Sequence, residues 1–464
     1  MNKIKNILSL GLLSIMALLI GFSSINYVLA DDVQISEENS VVYDDFDTDL
    51  NSDDFDYDRQ NTPNTLDSNN VSIMTANTNP IKVIACKDKE EMQPSKIIEM
   101  KATKAYKVTS LKHNDAIQKS YVASGYIFVS QAASNGTTYL SRCTLSGTTA
   151  TYKDEMILKN FGHNQTLEFY SHKNKTYVLI GCKSNTNEKP YGKGLTIQLG
   201  RIQYKAGTTI SNYTQINRLV RLDCANTNGK PFDYLYKEDK DNRDNIKTVI
   251  QRMDAALSSN KNYLLLAVRS IHGHIQYSYY DFNTINNLLD EVEGQSTNYI
   301  NCNENTKVKN ACKFSCVQKN EKGKKNRILP NGSCQGIDFT NAYSIYMSSG
   351  SGTSRSLNSD NCYTNYMPKI AKMVKSSNNR YSYSLCIRIT NTYTSSNVTN
   401  KTTLSNYYME IEGIQNSTNY LYFVLLPARI PNNQNPDLDT SHPEKSTTQY
   451  IYSLSKQDIE NKIS

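Results

Sequence analysis

The 464-residue sequence lacks the short motifs that mark several large enzyme classes. It has no glycine-rich phosphate-binding loop and no dinucleotide-binding fingerprint, so nucleotide chemistry is not indicated. It has no HExxH zinc signature, and its 6 histidines are mostly scattered, which argues against a multi-histidine metal centre. We therefore expect no cofactor, no metal site and no catalytic residue of these classes.

Long apolar runs are absent after the N-terminal segment. There, MNKIK precedes an uncharged apolar stretch and the segment SSINYVLA, in which Val28 and Ala30 are small enough for the side-chain pockets of a signal peptidase. This pattern predicts a signal peptide over residues 1–30. The alternative, a retained membrane anchor, needs about 20 apolar residues, but this stretch is shorter and Asp31 follows it. We expect a secreted, extracellular chain that has no transmembrane segment after cleavage.

Residues 31–59 have little aliphatic character and an excess of one charge. They carry twelve Asp or Glu and a single Arg. Such a segment cannot bury enough apolar surface to offset the entropy lost on ordering. We therefore predict a disordered acidic leader over residues 31–78, followed by one folded domain over residues 79–464.

The part of the chain that follows the acidic segment is strongly basic. The whole chain has a net charge of +7, to which Lys3 and Lys5 contribute +2 and residues 31–59 contribute −11, so residues 60–464 carry +16. Outside a cell, a basic protein attracts acidic wall polymers, anionic lipid headgroups or acidic glycans, and nucleic acid is not an expected partner. Simple solubility is the alternative meaning of this charge.

The 10 cysteines of an exported chain are expected to form disulfides. Four of them lie in a segment that has eight Lys or Arg between residues 307 and 327: Cys302, Cys312, Cys316 and Cys334. A zinc site is the alternative, but no CxxC pair is present and the compartment is oxidising. We therefore predict disulfides that staple a basic loop.

The rest of the chain repeats a short motif five times. Each copy has a hydrogen-bonding residue, a small residue, an apolar residue and, in most copies, a second polar residue. The copies are DAIQ at 115, QTLE at 165, DAAL at 254, QGID at 335 and EGIQ at 412. Each copy is followed by an apolar run that begins with tyrosine: YIFV at 126, YVLI at 177, YLLL at 263, YSIYM at 343 and YLYF at 420.

A further strand-like segment follows each apolar run, which predicts antiparallel sheets of three or four strands. In the first copy, the apolar run and the next strand-like segment are connected through Asn135 and Gly136, a dipeptide suited to a tight hairpin turn. Five such sheets bury their faces when they are arranged radially. We therefore predict an all-β fold, a five-bladed β-propeller, with a long β-sandwich as the alternative. A strand near residues 450–454 is expected to close the ring by pairing with residues 81–85, because an open ring would expose two sheet edges.

In a propeller the innermost strands surround a central channel, so the repeated polar residues are candidate binding residues. The first polar column consists of Asp115, Gln165, Asp254, Gln335 and Glu412. Glu168 belongs to the second polar column, and His163 precedes one copy. We predict that these seven residues bind a ligand, water or one another in the channel. A reactive pair of His163 and Glu168 is the less favoured alternative.

With these repeats, the sequence resembles the helveticin J family, the large heat-labile bacteriocins of Gram-positive bacteria. The resemblance covers about residues 110–456, and its motifs are GHNQTLEF (162–169), DAALSSNKNYLLLAV with DFNTINNLLDE (254–291), CQGIDFTNAYSIYMSS (334–349) and EIEGIQNSTNYLYF (410–423). The chain departs from the family in having Leu167 where tryptophan is usual, and it contains no tryptophan at all. The resemblance implies a secreted antibacterial protein and supplies no established catalytic residues.

Three functions are compatible with these features. The first is a bacteriocin that binds an anionic wall polymer or glycan in the envelope of competing Gram-positive bacteria. The second is a carbohydrate-active enzyme, because Asp115, Asp254 and Glu412 place three carboxylates in one column, and paired carboxylates can hydrolyse glycosidic bonds. The third is a glycan-binding protein that does not kill, because the 33 tyrosines can stack on sugar rings. The C-terminal SKQDIENKIS has no wall-anchoring motif, which disfavours the third.

Overall fold

The computed structural model describes most of the chain from the first strand to the C-terminus. The described residues are 82–85, 94–133, 135–185, 194–232, 250–271, 273–319, 333–350, 367–377, 380–395, 405–427 and 446–464. The predicted signal peptide and acidic leader lie outside them, as do Cys86 and Cys362. The predicted all-β class is confirmed, and the sheets are curled, one of them into a half-barrel. The five-bladed propeller stays a prediction.

The strands, numbered along the chain, form four hydrogen-bonded sheets, three of five strands and one of ten. The ten-stranded sheet comprises two sets, A and E, so that there are five sets, each of which begins with one copy of the repeated motif. Set A consists of β4 (Ile117–Ala123), β5 (Tyr126–Ala132), β6 (Thr138–Ser146), β7 (Thr149–Leu158) and β3 (Thr103–Thr109), with β11 (Thr209–Ile210) beside β7. Set B consists of β8 (Leu167–His172), β9 (Lys175–Ser184), β10 (Thr196–Gln203), β12 (Asn217–Val220) and β16 (Tyr299–Asn301).

The other three sets follow the same plan, with the strands given in their order across the sheet. Set C consists of β13 (Ile250–Leu257), β14 (Tyr263–Ser270), β15 (Ile275–Asp281), β17 (Cys312–Lys319) and β1 (Lys82–Ala85). Set D consists of β18 (Gly336–Phe339), β19 (Ile345–Ser349), β20 (Lys369–Lys375), β21 (Tyr381–Ile389) and β2 (Lys96–Met100). Set E consists of β23 (Ser405–Asn416), β24 (Tyr420–Pro427) and β25 (Gln449–Ser455), with β22 (Thr392–Ser395) on the other side of β23.

Each set begins with the antiparallel hairpin that the repeat predicts. The motif lies in or directly before the first strand, and the tyrosine-led run lies in or directly before the second. The pairs β4–β5, β8–β9, β13–β14, β18–β19 and β23–β24 are all antiparallel. Alternating and β-branched or aromatic residues account for these hairpins, since both kinds of pattern favour a pleated, half-buried strand.

The five first strands contact one another in a closed cycle, in the order β4, β8, β13, β18, β23 and back to β4. Apolar clusters fill the spaces between neighbouring sets. Between sets A and B, for example, the rings of Phe128 and Phe169 stack with centroids 4.1 Å apart, and Tyr121 lies 4.9 Å from Phe169. Burial of each such ring stabilises the fold by about 2–3 kcal/mol.

The closing strand pairs with a different partner from the predicted one. The C-terminal β25 pairs antiparallel with β3, with Gln449 opposite Val108, and β3 continues in parallel to β7. Residues 82–85 pair instead with β17 in set C, with Val83 opposite Val317. The prediction for residues 81–85 is therefore wrong, because β3 is the early strand whose two edges join sets A and E.

Three α-helices accompany the sheets in the described chain, and each has a side-chain cap. They are α1 (Phe282–Glu291), α2 (Thr306–Ala311) and α3 (Lys456–Ile463). Asp281 caps α1 by accepting a hydrogen bond from the Thr284 amide, as N-cap aspartates do. No helix among the described residues is long and apolar enough to cross a membrane.

The structure shows none of the disulfides predicted for the basic segment. The eight described cysteines are free and buried, and they include all four of that segment. Cys302 and Cys312 belong to the apolar cluster between sets B and C, whereas Cys316 and Cys334 belong to the cluster between sets C and D. Burial raises the pKa of the Cys316 thiol to about 12 and that of Cys334 to about 11, which disfavours the reactive thiolate. These side chains act as small apolar core residues.

Candidate functional site

Most of the predicted channel residues are buried where the first strands meet. Six of the seven are at most 6% exposed, and Asp115 is partly exposed: His163, Gln165, Glu168, Asp254, Gln335 and Glu412 are the buried ones. Three of the first strands carry a register shift of the β-bulge type, between Ile117 and Lys119 in β4, between Ile250 and Arg252 in β13 and between Ile411 and Ile414 in β23. Because a bulge re-aims the side chains beside it, consecutive residues of these strands are both buried.

Asp254 and Gln335 take part in contacts that hold neighbouring sets together. Asp254 forms a two-point ion pair with Arg252, at 3.0 and 2.8 Å, and Arg252 also donates to the carbonyl of Cys334 at 2.7 Å. Gln335 donates to the carboxylate of Glu410 at 3.5 Å. A bidentate buried pair of this kind has a structural role, so Asp254 is not available as a catalytic carboxylate in this arrangement.

His163 contacts the amide side chain of a neighbouring strand and not the carboxylate of Glu168. Its Nε2 lies 2.6 Å from Oε1 of Gln118, which belongs to the first copy of the motif. Asp115 lies just before β4, and its carbonyl accepts hydrogen bonds from the side chains of Gln131 and Gln449. The structure therefore does not bring His163 and Glu168 together as a reactive pair.

Glu168 lies in a second group of polar residues, which we call the central cluster: Lys119, Glu168, Lys261, Asp338 and Asn416. Oε2 of Glu168 is 3.8 Å from Nζ of Lys261, and the backbone amide of Leu257 donates toward the same carboxyl group. Lys261 comes from the turn between β13 and β14. Its side chain is 20% exposed, but its nitrogen is buried without a hydrogen-bond partner among the described residues.

The other members of the central cluster come from the remaining first strands. Asp338 on β18 accepts a hydrogen bond from its neighbouring amide, Phe339, at 2.5 Å and another from the backbone amide of Asn416 on β23. Lys119 on β4 is fully buried and donates to the carbonyl of Gln165 at 3.4 Å. All five sets therefore contribute to one polar cluster at the point where they meet.

Burial favours the neutral forms of three groups in the cluster, those of Glu168, Lys261 and Asp338. Burial raises the pKa of Glu168 to about 7, although Lys261 and Lys119 oppose this shift. Burial also lowers the pKa of Lys261 against the opposing charges of Glu168 and Asp338. The pKa of Asp338 is raised by burial and then by Glu168. A carboxyl group with a pKa near 7 can give or take a proton at neutral pH, which is the property of a general acid or base.

The repeated motif indicated some of these residues but not others. Asp338 and Glu168 share the second polar column of the repeat, whereas Lys261 lies in a connecting turn outside it. A second group that no motif indicated is centred on Arg201, whose fully buried guanidinium donates to Asn286, Asp290 and Glu293 and so fixes α1 to set B. No group of residues that could hold a metal ion is present in the described chain.

The chain was compared with protein families, curated proteins and solved structures. The family described as bacteriocin helveticin-J matches residues 93–441. No curated protein matches the chain. Among solved structures, an uncharacterized protein, lmo1340, from Listeria monocytogenes EGD-e is 9% identical over 79% of this chain and 69% of that chain, with a TM-score of 0.16, which is too low to support an argument about fold or function. Because the family match spans about three quarters of the chain and all five motifs, this chain belongs to the helveticin J family.

Proposed function

We propose that the protein is a secreted bacteriocin that binds an anionic polymer or glycan in the envelope of competing Gram-positive bacteria. Membership of a family of bacteriocins over residues 93–441 carries the proposal. The sequence features of residues 1–30 and the charge of +16 on residues 60–464 agree with it, because an exported basic protein is attracted to acidic wall polymers.

A row of exposed lysines along β3 provides a surface for such a polymer. Lys101, Lys104, Lys107 and Lys112 are all exposed, and no acidic residue occurs between residues 100 and 114. Nζ of Lys104 lies 3.9 Å from the centre of the Tyr450 ring on β25, so the row also presents aromatic surface. Repeated positive charges at the spacing of a strand match a polyanion with repeated phosphate or carboxylate groups.

For the whole domain we propose the five-bladed propeller, with sets A to E as its blades. The closed cycle of first strands and the apolar clusters between neighbouring sets support this arrangement. In it, the six buried channel residues contact neighbouring polar side chains and ordered water, since their burial leaves a polymer no access. Recognition of the envelope then belongs to the outer surface.

A sedimentation assay with isolated Gram-positive cell walls tests this surface. We expect residues 31–464 to bind the walls, and we expect binding to weaken as salt is raised. The double variant Lys104→Glu, Lys107→Glu should bind at least tenfold more weakly. The control Lys159→Glu, Lys205→Glu removes the same charge from exposed positions outside the row. An equal loss of cell-wall binding in both double variants would show that binding depends on the total charge of the protein and not on this row of lysines.

An enzyme that cleaves glycans is the second candidate, because Glu168 has a pKa of about 7 and lies near the second carboxyl group of Asp338. Glycoside hydrolysis uses such a pair of carboxyl groups. The burial of both residues speaks against it. Release of reducing sugar from cell walls by the wild type, abolished by Glu168→Ala, would establish the enzyme in place of the binding protein.

A further inference from the structure

The central cluster contains a buried amine and a buried carboxyl group that face each other. Nζ of Lys261 is 3.8 Å from Oε2 of Glu168, and this amine has no hydrogen-bond partner among the described residues. The backbone amide of Leu257 donates toward the carboxyl group of Glu168. The two residues come from different sets, Glu168 from β8 and Lys261 from the turn that joins β13 to β14. Unpaired polar groups are rare in protein interiors and require an explanation.

Burial makes this pair more reactive than the same pair in water. In water an amine and a carboxylic acid exchange a proton and remain an ammonium and a carboxylate, which do not condense. Here burial lowers the pKa of Lys261 and raises that of Glu168 to about 7, so that the neutral amine and the neutral acid are favoured together. The fold also holds the two groups in contact, which replaces a bimolecular encounter by an intramolecular one.

Asp338 supplies a second carboxyl group for proton transfer. Its oxygens accept hydrogen bonds from the backbone amides of Phe339 and Asn416, which fix its position. Its carboxyl group interacts electrostatically with both Glu168 and Lys261, and burial keeps its pKa well above the usual value. A protonated Asp338 can therefore act as the acid that a departing hydroxyl group needs.

We propose that Lys261 and Glu168 condense to an intramolecular isopeptide bond. The lone pair of Nζ adds to the side-chain carboxyl carbon of Glu168, and Asp338 protonates the hydroxyl group that leaves as water. The proton released from Nζ returns to Asp338. One C–N bond forms, one C–O bond breaks and one water molecule departs, so the step needs no oxidant or other reactant.

The bond links the first strand of set B to the first hairpin of set C. In the unfolded chain the bond closes a loop between residues 168 and 261. Like a disulfide, this cross-link lowers the conformational entropy of the unfolded chain and so stabilises the folded state. The described cysteines are all free, so an exported chain gains here a covalent link that does not depend on oxidation. This inference is independent of the proposed antibacterial function.

Intact mass spectrometry of folded residues 31–464 tests the bond. We expect the wild type to be lighter than its sequence by one water molecule, with and without reductant. Trypsin should then release one species that joins residues 160–173 to residues 253–269, with Lys261 uncleaved. Wild-type protein of full mass that yields separate peptides 160–173 and 253–261 would overturn the proposal.

Three variants test which residues form the bond and which residue transfers the proton. Lys261→Arg and Glu168→Ala should each have full mass, and Asp338→Asn should slow the appearance of the lighter species at least tenfold. Lys159→Arg, at an exposed position outside the row of lysines, is the matched control and should remain lighter by one water. Because mass is read in the denatured state, a variant that folds poorly still gives an answer. A loss of water that persists in Lys261→Arg would contradict the assignment.

Discussion

The backbone amide of Ala255 donates a hydrogen bond of 2.8 Å to Oγ1 of Thr166, and this contact joins set C to set B. Both residues occupy the second position of the repeated motif, where every copy has a small side chain. Both are completely buried. The small residues of the motif therefore have a physical cause: larger side chains would keep the first strands apart.

Changes at this contact should lower stability in a predictable order. Thr166→Val removes the acceptor and leaves a buried amide unsatisfied, which should lower the free energy of unfolding by about 1–3 kcal/mol. Ala255→Leu should cost about 1–3 kcal/mol through overpacking. Thr166→Ser keeps the hydroxyl group and should lower the free energy of unfolding by less than Thr166→Val does. Urea denaturation followed by tyrosine fluorescence gives these values, and equal losses for Val and Ser would show that the hydrogen bond is unimportant.

The buried guanidinium of Arg201 should be among the most sensitive positions of set B. Arg201→Leu removes the hydrogen bonds that Arg201 donates to Asn286, Asp290 and Glu293, and each lost hydrogen bond to a charged group costs about 1.5–3 kcal/mol. Lys173 also pairs with Asp290, at 2.6 Å, but its side chain is 68% exposed. Lys173→Ala should therefore cost at most about 1 kcal/mol. Similar melting temperatures for the two variants would contradict this account of the network.

Asp290 should also produce acid sensitivity. Burial works against ionisation here, yet hydrogen bonds from Lys173, His172 and Arg201 lower the pKa of Asp290 below its usual value of 3.8. Its ionised form thus stabilises the fold above pH 4, and this contribution is lost as the pH falls through the lower folded-state pKa. Asp290→Asn should have lower stability at neutral pH and a flatter acid limb. A steeper acid limb in the variant would reverse the sign of this assignment.

Where Glu168 cannot condense with Lys261, it should lower the stability of the fold as the pH rises. This pH dependence is opposite in sign to that of Asp290. In Lys261→Met, burial keeps the pKa of Glu168 above its usual 4.5, so the folded state retains a proton that the unfolded state loses. The stabilising contribution is therefore complete below pH 4.5 and is lost as the pH rises through the folded-state value. Thermal melting between pH 4 and pH 8 should show a decline in Lys261→Met that the double variant Lys261→Met, Glu168→Gln lacks.

Removal of the closing strand should prevent the whole domain from folding. Truncation after Pro427 deletes β25, which pairs with both β24 and β3. The exposed edges and the lost core residues Ile451 and Leu454 should abolish cooperative melting and near-ultraviolet dichroism. Truncation after Ser455 removes only α3 and should leave a cooperative transition at a lower temperature. A native-like spectrum after the longer truncation would show that the ring does not depend on this strand.

The sequence predicted the hairpins because their signals are local. The tyrosine-led runs and the turn at Asn135–Gly136 identify neighbouring strands that pair with each other, and all five pairs are present. Partners that are distant in sequence carry no such signal: β1 pairs with β17, more than two hundred residues away. For the same reason the repeat indicated Glu168 but not Lys261, which reaches the cluster only through the three-dimensional arrangement.

The cysteines show a second limit of sequence reasoning. The expected oxidising compartment favoured disulfides, but Cys312 and Cys316 lie four residues apart on one strand, roughly 13 Å at the rise of a strand. This separation is beyond the reach of a disulfide. Which thiols become core side chains depends on packing between sets, and that information is absent from composition and spacing.

Growth inhibition tests the central claim most directly. Purified residues 31–464 should inhibit growth in a panel of Gram-positive indicator strains. Heat-inactivated protein serves as the control for contaminating small inhibitors. The potency should fall in Lys104→Glu, Lys107→Glu but not in Lys159→Glu, Lys205→Glu. Folded protein that binds cell walls and yet inhibits no strain of the panel would contradict a bacteriocin and favour a glycan-binding protein that does not kill.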